Sequence, residues 1–231
     1  MEPDSAYWSA YYRGVHSEGR PWLDYSNERV QAQSLALALE AAGPLHGRSC
    51  LDVGCGNGQF ALMTRAHGAT RVVGVELVAE TVARLKSEQP TVEWIAGDAG
   101  QEAATAALGS FDVVAALEVL QYVPFATVVS RLWGSVAPGG RLLAIVPNAA
   151  CPIVARPVSR FGDNFRPVTA GELERQFTTL PGLACWGYRG LSFAEDQRIA
   201  PYSVSPWTTH GEWLHPPNRF LLMAQSIGGG G

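Results

Sequence analysis

Residues 49–58 read Ser49-Cys50-Leu51-Asp52-Val53-Gly54-Cys55-Gly56-Asn57-Gly58, and an amphipathic stretch opens at Gln59. A short apolar run that passes straight into Gly-x-Gly-x-Gly and then into a helical pattern is a buried strand ending in a tight loop. Backbone amides and a helix N-terminus are then expected to face a bound ligand. Glycine suits the loop because it takes positive φ cheaply and lets a ligand approach the main chain. A dinucleotide fingerprint, Gly-x-Gly-x-x-Gly, would need a third glycine where this chain has Gln59. A phosphate-binding P-loop would need Gly-Lys-Ser or Gly-Lys-Thr, which does not follow.

Outward from the loop, strands and helices alternate. Asn27 is expected to cap a helix that stops at Gly43-Pro44, with Val30, Ser34, Leu37, Ala38 and Ala41 on one face. After the first strand (49–53) a helix is expected over 59–67. Arg71 to Glu76 is a β-branched run closed by an acid, and Val78, Val82 and Leu85 give helical spacing behind it. Thr91 to Ala96 is a third strand ending in Gly97-Asp98. Phe111 to Leu117 is a fourth, nearly all apolar, as in a strand covered on both faces. Phe125, Val128, Val129, Leu132 and Val136 mark a helix that ends at Pro138-Gly139-Gly140. Strand five runs from Arg141 to Val146. Thr169-x-x-Glu172 is a capping box, and 183–193 and 218–225 are the last strand candidates. This pace implies an α/β, doubly wound, mostly parallel sheet with helices on both faces. Ligands of such sheets lie at the carboxyl ends of the strands, where the order reverses.

The 231 residues suffice for one well-cored domain, and 47% hydrophobic against 16% charged residues is a globular balance. Residues 1–227 are therefore expected to form a single domain, with 228–231 a flexible glycine tail. A net charge of −4 without a Lys/Arg-rich segment argues against nucleic acid as partner. The acidic start, Met1-Glu2-Pro3-Asp4-Ser5, lacks an apolar leader, and no apolar stretch approaches spanning length, so neither secretion nor a membrane is expected. Cys50, Cys55, Cys151 and Cys185 show no C-x-x-C pair or metal spacing and read as reduced thiols of a cytoplasmic protein.

The succession Leu51–Gly58, Val73–Glu76, Ala96–Asp98, Phe111–Val123 and Trp133–Pro147 resembles the class I S-adenosylmethionine-dependent methyltransferases, small-molecule branch. The resemblance covers residues 49–148 and continues more weakly through Phe165-Arg166-Pro167 and Glu172-Leu173. It implies a seven-stranded, Rossmann-like methyltransferase fold and S-adenosylmethionine as cofactor. The residues agree, because that compound has no phosphate and needs no lysine. Glu76 can accept from both ribose hydroxyls. The family pattern puts Asp98 on the adenine amine, with Leu77 and Ala99 walling the purine. Gly54 and Gly56 leave bare backbone for the methionine part, while Asp52 organises the loop amides or holds the ammonium through water. Glu118 follows strand four beside the sulfonium, and Arg13 could bind the cofactor carboxylate or a substrate acid.

The acceptor side is written less plainly. A sulfonium methyl is already activated, so orientation carries much of the rate, and a base is needed only for a protonated acceptor. Tyr122, Asn148, Tyr202 and Ser203 are the catalytic candidates; Arg166, His210 and Trp213 are further ones. Many relatives that methylate hydroxyls carry a histidine near Tyr122, and its absence here weakens a simple histidine-base O-methylation. The aromatic N-terminal segment (1–44) and the proline-rich insertion (194–217) suggest a lid over an apolar pocket. No carboxylate cluster beside the acceptor loops calls for a metal. A second reading uses the same cofactor differently. Attack at its aminocarboxypropyl carbon, by cyclisation or transfer, would release methylthioadenosine. A third is a cofactor-binding protein without turnover.

Overall fold

The β-branched and apolar runs pair as their two-sided burial requires. The computed structural model describes residues 8–10, 28–102, 105, 107–152, 154, 165–192 and 203–229. Its elements are α1 (Glu28–Ala42), β1 (Ser49–Val53), α2 (Gln59–Ala66), β2 (Arg71–Glu76), α3 (Ala79–Glu88), β3 (Glu93–Ala96) and β4 (Phe111–Leu117). After a 3-10 turn (Leu120–Tyr122) come α4 (Phe125–Gly134), β5 (Val136–Pro147), α5 (Ala170–Phe177), β6 (Leu183–Ser192), β7 (Ser203–Val204) and β8 (Arg219–Ser226).

All the strands join one sheet in the order β3-β2-β1-β4-β5-β8-β6-β7. The first five are parallel, with Leu51 opposite both Val73 and Val114, and β8 enters antiparallel between β5 and β6. Alternate residues feed two cores. Leu51, Val53, Val73 and Val75 pack under α4 and α5, whereas Cys50, Val72, Val113 and Ala115 pack under α1, α2 and α3. The order reverses between β1 and β4, which places a crevice at the carboxyl ends of those two strands.

The structure differs from the sequence reading at several points. The sheet has an eighth strand, the two-residue β7, and β3 begins at Glu93 rather than Thr91. Leu37 is half-buried; Val30, Ser34, Ala38 and Ala41 carry the inward stripe of α1. Val136 belongs to β5, facing Phe111, and not to the helix before it. Pro138-Gly139-Gly140 forms a bulge inside that strand. Gly139 has φ 77°, and a Cβ on Gly140 would lie 2.9 Å from the Asp112 carbonyl, so the breaker residues bend the strand without ending it.

The capping box is formed as its spacing demands. The Glu172 amide donates to the Thr169 hydroxyl at 3.2 Å, and the Thr169 amide donates back to the Glu172 carboxylate at 2.7 Å. Thr169→Ala is expected to lower stability by about 1 kcal/mol. Urea denaturation of the variant checks it, and an unchanged midpoint would contradict the cap.

Candidate cofactor site

Asp52 lies on the helix side of β1, 2% exposed, and accepts the Ala61 amide at 3.1 Å, so its carboxylate fills the first turn of α2. The loop amides are also occupied. Those of Gly54 and Cys55 donate to the Val75 carbonyl, that of Gly58 to Cys55, and that of Gly56 to Glu76 at 3.0 Å. A phosphate site would keep such donors free for the anion. Here they are satisfied within the protein, contrary to the expectation that they face the ligand. The loop therefore offers bare backbone surface with a carboxylate behind it, a poor seat for an anion.

Two of the glycines are fixed by neighbours. Gly54 (φ 68°) lies under Val119, whose Cγ2 would stand 2.5 Å from an added Cβ. Gly58 (φ 76°) lies on the Trp94 ring, 2.4 Å from an added Cβ, and the same ring crosses Gly74 on β2, where an added Cβ would also lie 2.4 Å from it. From α3, Arg84 donates to the Asn57 side-chain oxygen (Oδ1) at 2.9 Å. Sequence reasoning missed Trp94, Arg84 and Val119. The one available hint was a glycine inside β2, which marks a close approach.

Glu76 closes β2, 5% exposed, and accepts the Gly56 and Val78 amides at 3.0 Å each. Burial pushes its carboxyl up, and those backbone donors pull part of the way back. The Gly56 amide bonds one oxygen and the Val78 amide the other, which leaves acceptor capacity for a diol. In register, Glu76 faces Ala96, so Asp98 follows on the adjoining strand end. The Asp98 carboxylate takes the Gly100 amide at 2.7 Å, an Asx turn. Leu77 is half-buried and Ala99 buried beside these acids. This donor-poor, acceptor-rich edge fits a nucleoside whose sugar and base supply the hydrogens.

Burial raises the Asp52 carboxyl to about 7, with the Glu76 charge adding to the rise and the Ala61 amide opposing it. Cys55 is pushed up too, by burial and then by Asp52 and Glu76, which keeps it a neutral thiol and a poor nucleophile. A raised carboxyl contributes stability that is fully present below its unfolded value of 3.8 and is lost as pH rises through about 7. Asp52→Asn is thus expected to gain melting temperature over wild type at about pH 8 and to lie closer to it at about pH 5. Melting curves at both values check this, and a pH-independent gap would contradict it.

The acceptor candidates separate. Glu118, with φ 61°, begins the turn after β4 and ion-pairs with Arg219 of β8. The Tyr122 ring meets Trp8 edge-on at 5.0 Å and Phe165 at 6.0 Å, so the N-terminal segment and the stretch before α5 converge there. Asn148 is 1% exposed, and its amide is committed to the Pro217 carbonyl (2.8 Å) and the Ala150 amide (3.0 Å). It braces the end of β5, where sequence reasoning gave it a substrate contact. Ser203 is exposed on β7, five strand positions from β1, or about 24 Å at the usual spacing. Residues 203–217 lie along β6 through a Tyr188–Thr208 bridge, and His210 pairs with Glu174 of α5 at 3.1 Å. That part of the insertion is fastened to the sheet edge. Arg13, Tyr202 and residues 194–202 lie outside the described residues, and Arg166 is exposed.

A family profile described as "Methyltransferase domain" matches residues 51–144, the span from β1 into β5. The chain is 35% identical over 138 residues to a ubiquinone biosynthesis O-methyltransferase from Sodalis glossinidius, covering 52% of each. It is 36% identical over 129 residues to the enzyme of that name from Escherichia coli O7:K1, covering 52% of this chain and 53% of that one. The chain therefore spans about half the length of the curated relatives it matches. Among solved structures, it resembles a possible histamine N-methyltransferase from Thermotoga maritima, with TM-score 0.66, 14% identity, and coverage of 96% and 97%. It also resembles magnesium protoporphyrin IX methyltransferase from Synechocystis with bound S-adenosylhomocysteine, with TM-score 0.63, 16% identity, and coverage of 93% and 94%.

Proposed function

We propose that this chain, whose residues 51–144 match a methyltransferase-domain profile, is a class I S-adenosylmethionine-dependent enzyme that methylates a small-molecule acceptor. The observation that carries the reading is the loop whose amides are spent internally beside the buried, acceptor-only Glu76. Such an edge suits a phosphate-free nucleoside with a cationic tail. When bound, the cofactor supplies a methyl carbon already activated by a sulfonium. Glu76 accepts the ribose hydroxyls, Asp98 the adenine amine, and Leu77 and Ala99 flank the purine. Gly54 and Gly56 present backbone to the amino-acid part, and Asp52 acts from behind by holding the start of α2.

On the acceptor side, Tyr122 with Trp8 and Phe165 forms the aromatic wall that orients the nucleophile and excludes water. Asn148 shapes that end of β5. Relatives named ubiquinone biosynthesis O-methyltransferase favour methyl transfer over attack at the aminocarboxypropyl carbon. The free thiols of Cys50, Cys55, Cys151 and Cys185 support a reducing, cytoplasmic setting. Among the described residues no helix is long and apolar enough to cross a membrane.

Incubation with S-adenosylmethionine and a panel of small hydroxyl, amine and carbon acceptors tests the proposal by the spent cofactor. S-adenosylhomocysteine with a methylated acceptor is expected. Methylthioadenosine would transfer the chain to the aminocarboxypropyl chemistry, and an unconsumed cofactor with every acceptor would reduce it to a binding protein.

A further inference from the structure

Arg219 opens β8 in register with Pro147 on β5 and Leu191 on β6, at the carboxyl edge of the sheet. Its side chain is 5% exposed and reaches the Glu118 carboxylate, which itself keeps 19% of its surface open. Burying such a pair brings little net stability, because desolvation offsets the attraction and apolar residues would serve as well. Glu118 is also the one non-glycine residue with positive φ among the described residues, a conformation disfavoured for any side chain with a Cβ. Strain of that kind persists where the surroundings enforce it, and it gathers at functional sites. The next residue, Val119, rests on Gly54, so the strained turn touches the first glycine of the cofactor loop. Two features that stability does not require thus meet at one point beside the loop.

We propose that Arg219 is a positioning residue that holds the Glu118 carboxylate as the seat for the α-ammonium of the cofactor's amino-acid part. The inference rests on the methyltransferase reading above and adds to it a residue from the antiparallel end of the sheet. Arg219 occupies one oxygen of Glu118, and the Gln121 amide approaches the other at 3.4 Å, leaving lone pairs on the open side. Burial pushes the Glu118 carboxyl up, while the Arg219 charge and the Gln121 amide pull it back. Without Arg219, the burial that pushes the Glu118 carboxyl up loses its main opposition, which favours the protonated form, a competing donor, over the acceptor of the ammonium. Around Glu118, β8 contributes Arg219, and the 3-10 turn contributes Gln121 and Tyr122. Asp52 on β1 and Glu76 on β2 are common to every variant, so their titration cancels in the comparison.

Calorimetric titration separates the ammonium from the nucleoside by using two probes, S-adenosylhomocysteine and methylthioadenosine, which lacks the amino-acid part. Arg219→Met is expected to weaken S-adenosylhomocysteine roughly tenfold or more at about pH 6. That loss is expected to shrink toward about pH 8.5, with methylthioadenosine unaffected and Arg219→Lys close to wild type. Equal losses for both probes, or a loss of the same size at every pH, would overturn the proposal. Should Arg219→Met fail to fold, Glu118→Gln replaces it. That variant is expected to lose S-adenosylhomocysteine selectively at all pH values, and unchanged discrimination between the probes would be decisive against it. If wild type binds neither probe, the methyltransferase reading itself fails; if wild type binds and the variants match it, only the role of Arg219 does.

Discussion

Replacing Glu76 with alanine is expected to weaken S-adenosylmethionine binding by about 1.5–3 kcal/mol, tenfold to a hundredfold or so, the scale of hydrogen bonds to a charged group. Its carboxylate is 5% exposed and stands at the end of β2, with backbone amides bonded to both oxygens. The substitution removes the acceptors offered to the ribose and also releases the Gly56 amide from its partner, so the loop loses a tether as well as a ligand contact. Glu76→Gln retains one acceptor oxygen and is expected to fall between alanine and wild type. Calorimetry gives the affinities, and melting curves show that the variants remain folded. Wild-type affinity in the alanine variant would remove Glu76 from the site.

Gly58→Val is the second large effect, and it acts on the fold of the loop. The position has φ 76°, and an added Cβ would lie 2.4 Å from the Trp94 ring, which is itself 2% exposed and held by a bond from its indole nitrogen to the Gln89 carbonyl. Left-handed strain and overpacking together are expected to cost about 2–5 kcal/mol. Adding Trp94→Leu should relieve the packing part and leave the backbone part, so the double variant recovers only a fraction of the loss. Urea denaturation measures both steps. A single variant as stable as wild type would contradict the assigned contact between the third glycine and Trp94.

The parallel half of the sheet could be read from sequence because β1, β2 and β4 are covered on both faces and appear as unbroken apolar runs. The acids at their ends were equally plain, since a parallel sheet gathers those ends on one edge. Cross-strand matters were hidden. Whether Pro138-Gly139-Gly140 turns the chain or bulges it depends on the partner strand, which supplies Phe111 and Val113 as its register. The role of Asn148 depends on Pro217, and that of Arg219 on Glu118, partners distant in sequence that no local spacing connects. The loop amides show the same limit. Glycine spacing announced a ligand loop, but only the fold reveals that Val75, Cys55 and Glu76 consume its donors. The acceptor side was least legible, because Tyr122 acquires its aromatic neighbours from segments on either side of the core.

The most direct test of the cofactor edge is a titration of the purified wild-type chain with S-adenosylhomocysteine. Saturable heat at one ligand per chain, accompanied by a rise in melting temperature, is the expected result. Absence of both heat and thermal shift, with S-adenosylmethionine behaving the same way, would mean that the Gly54 turn and Glu76 do not hold this nucleoside.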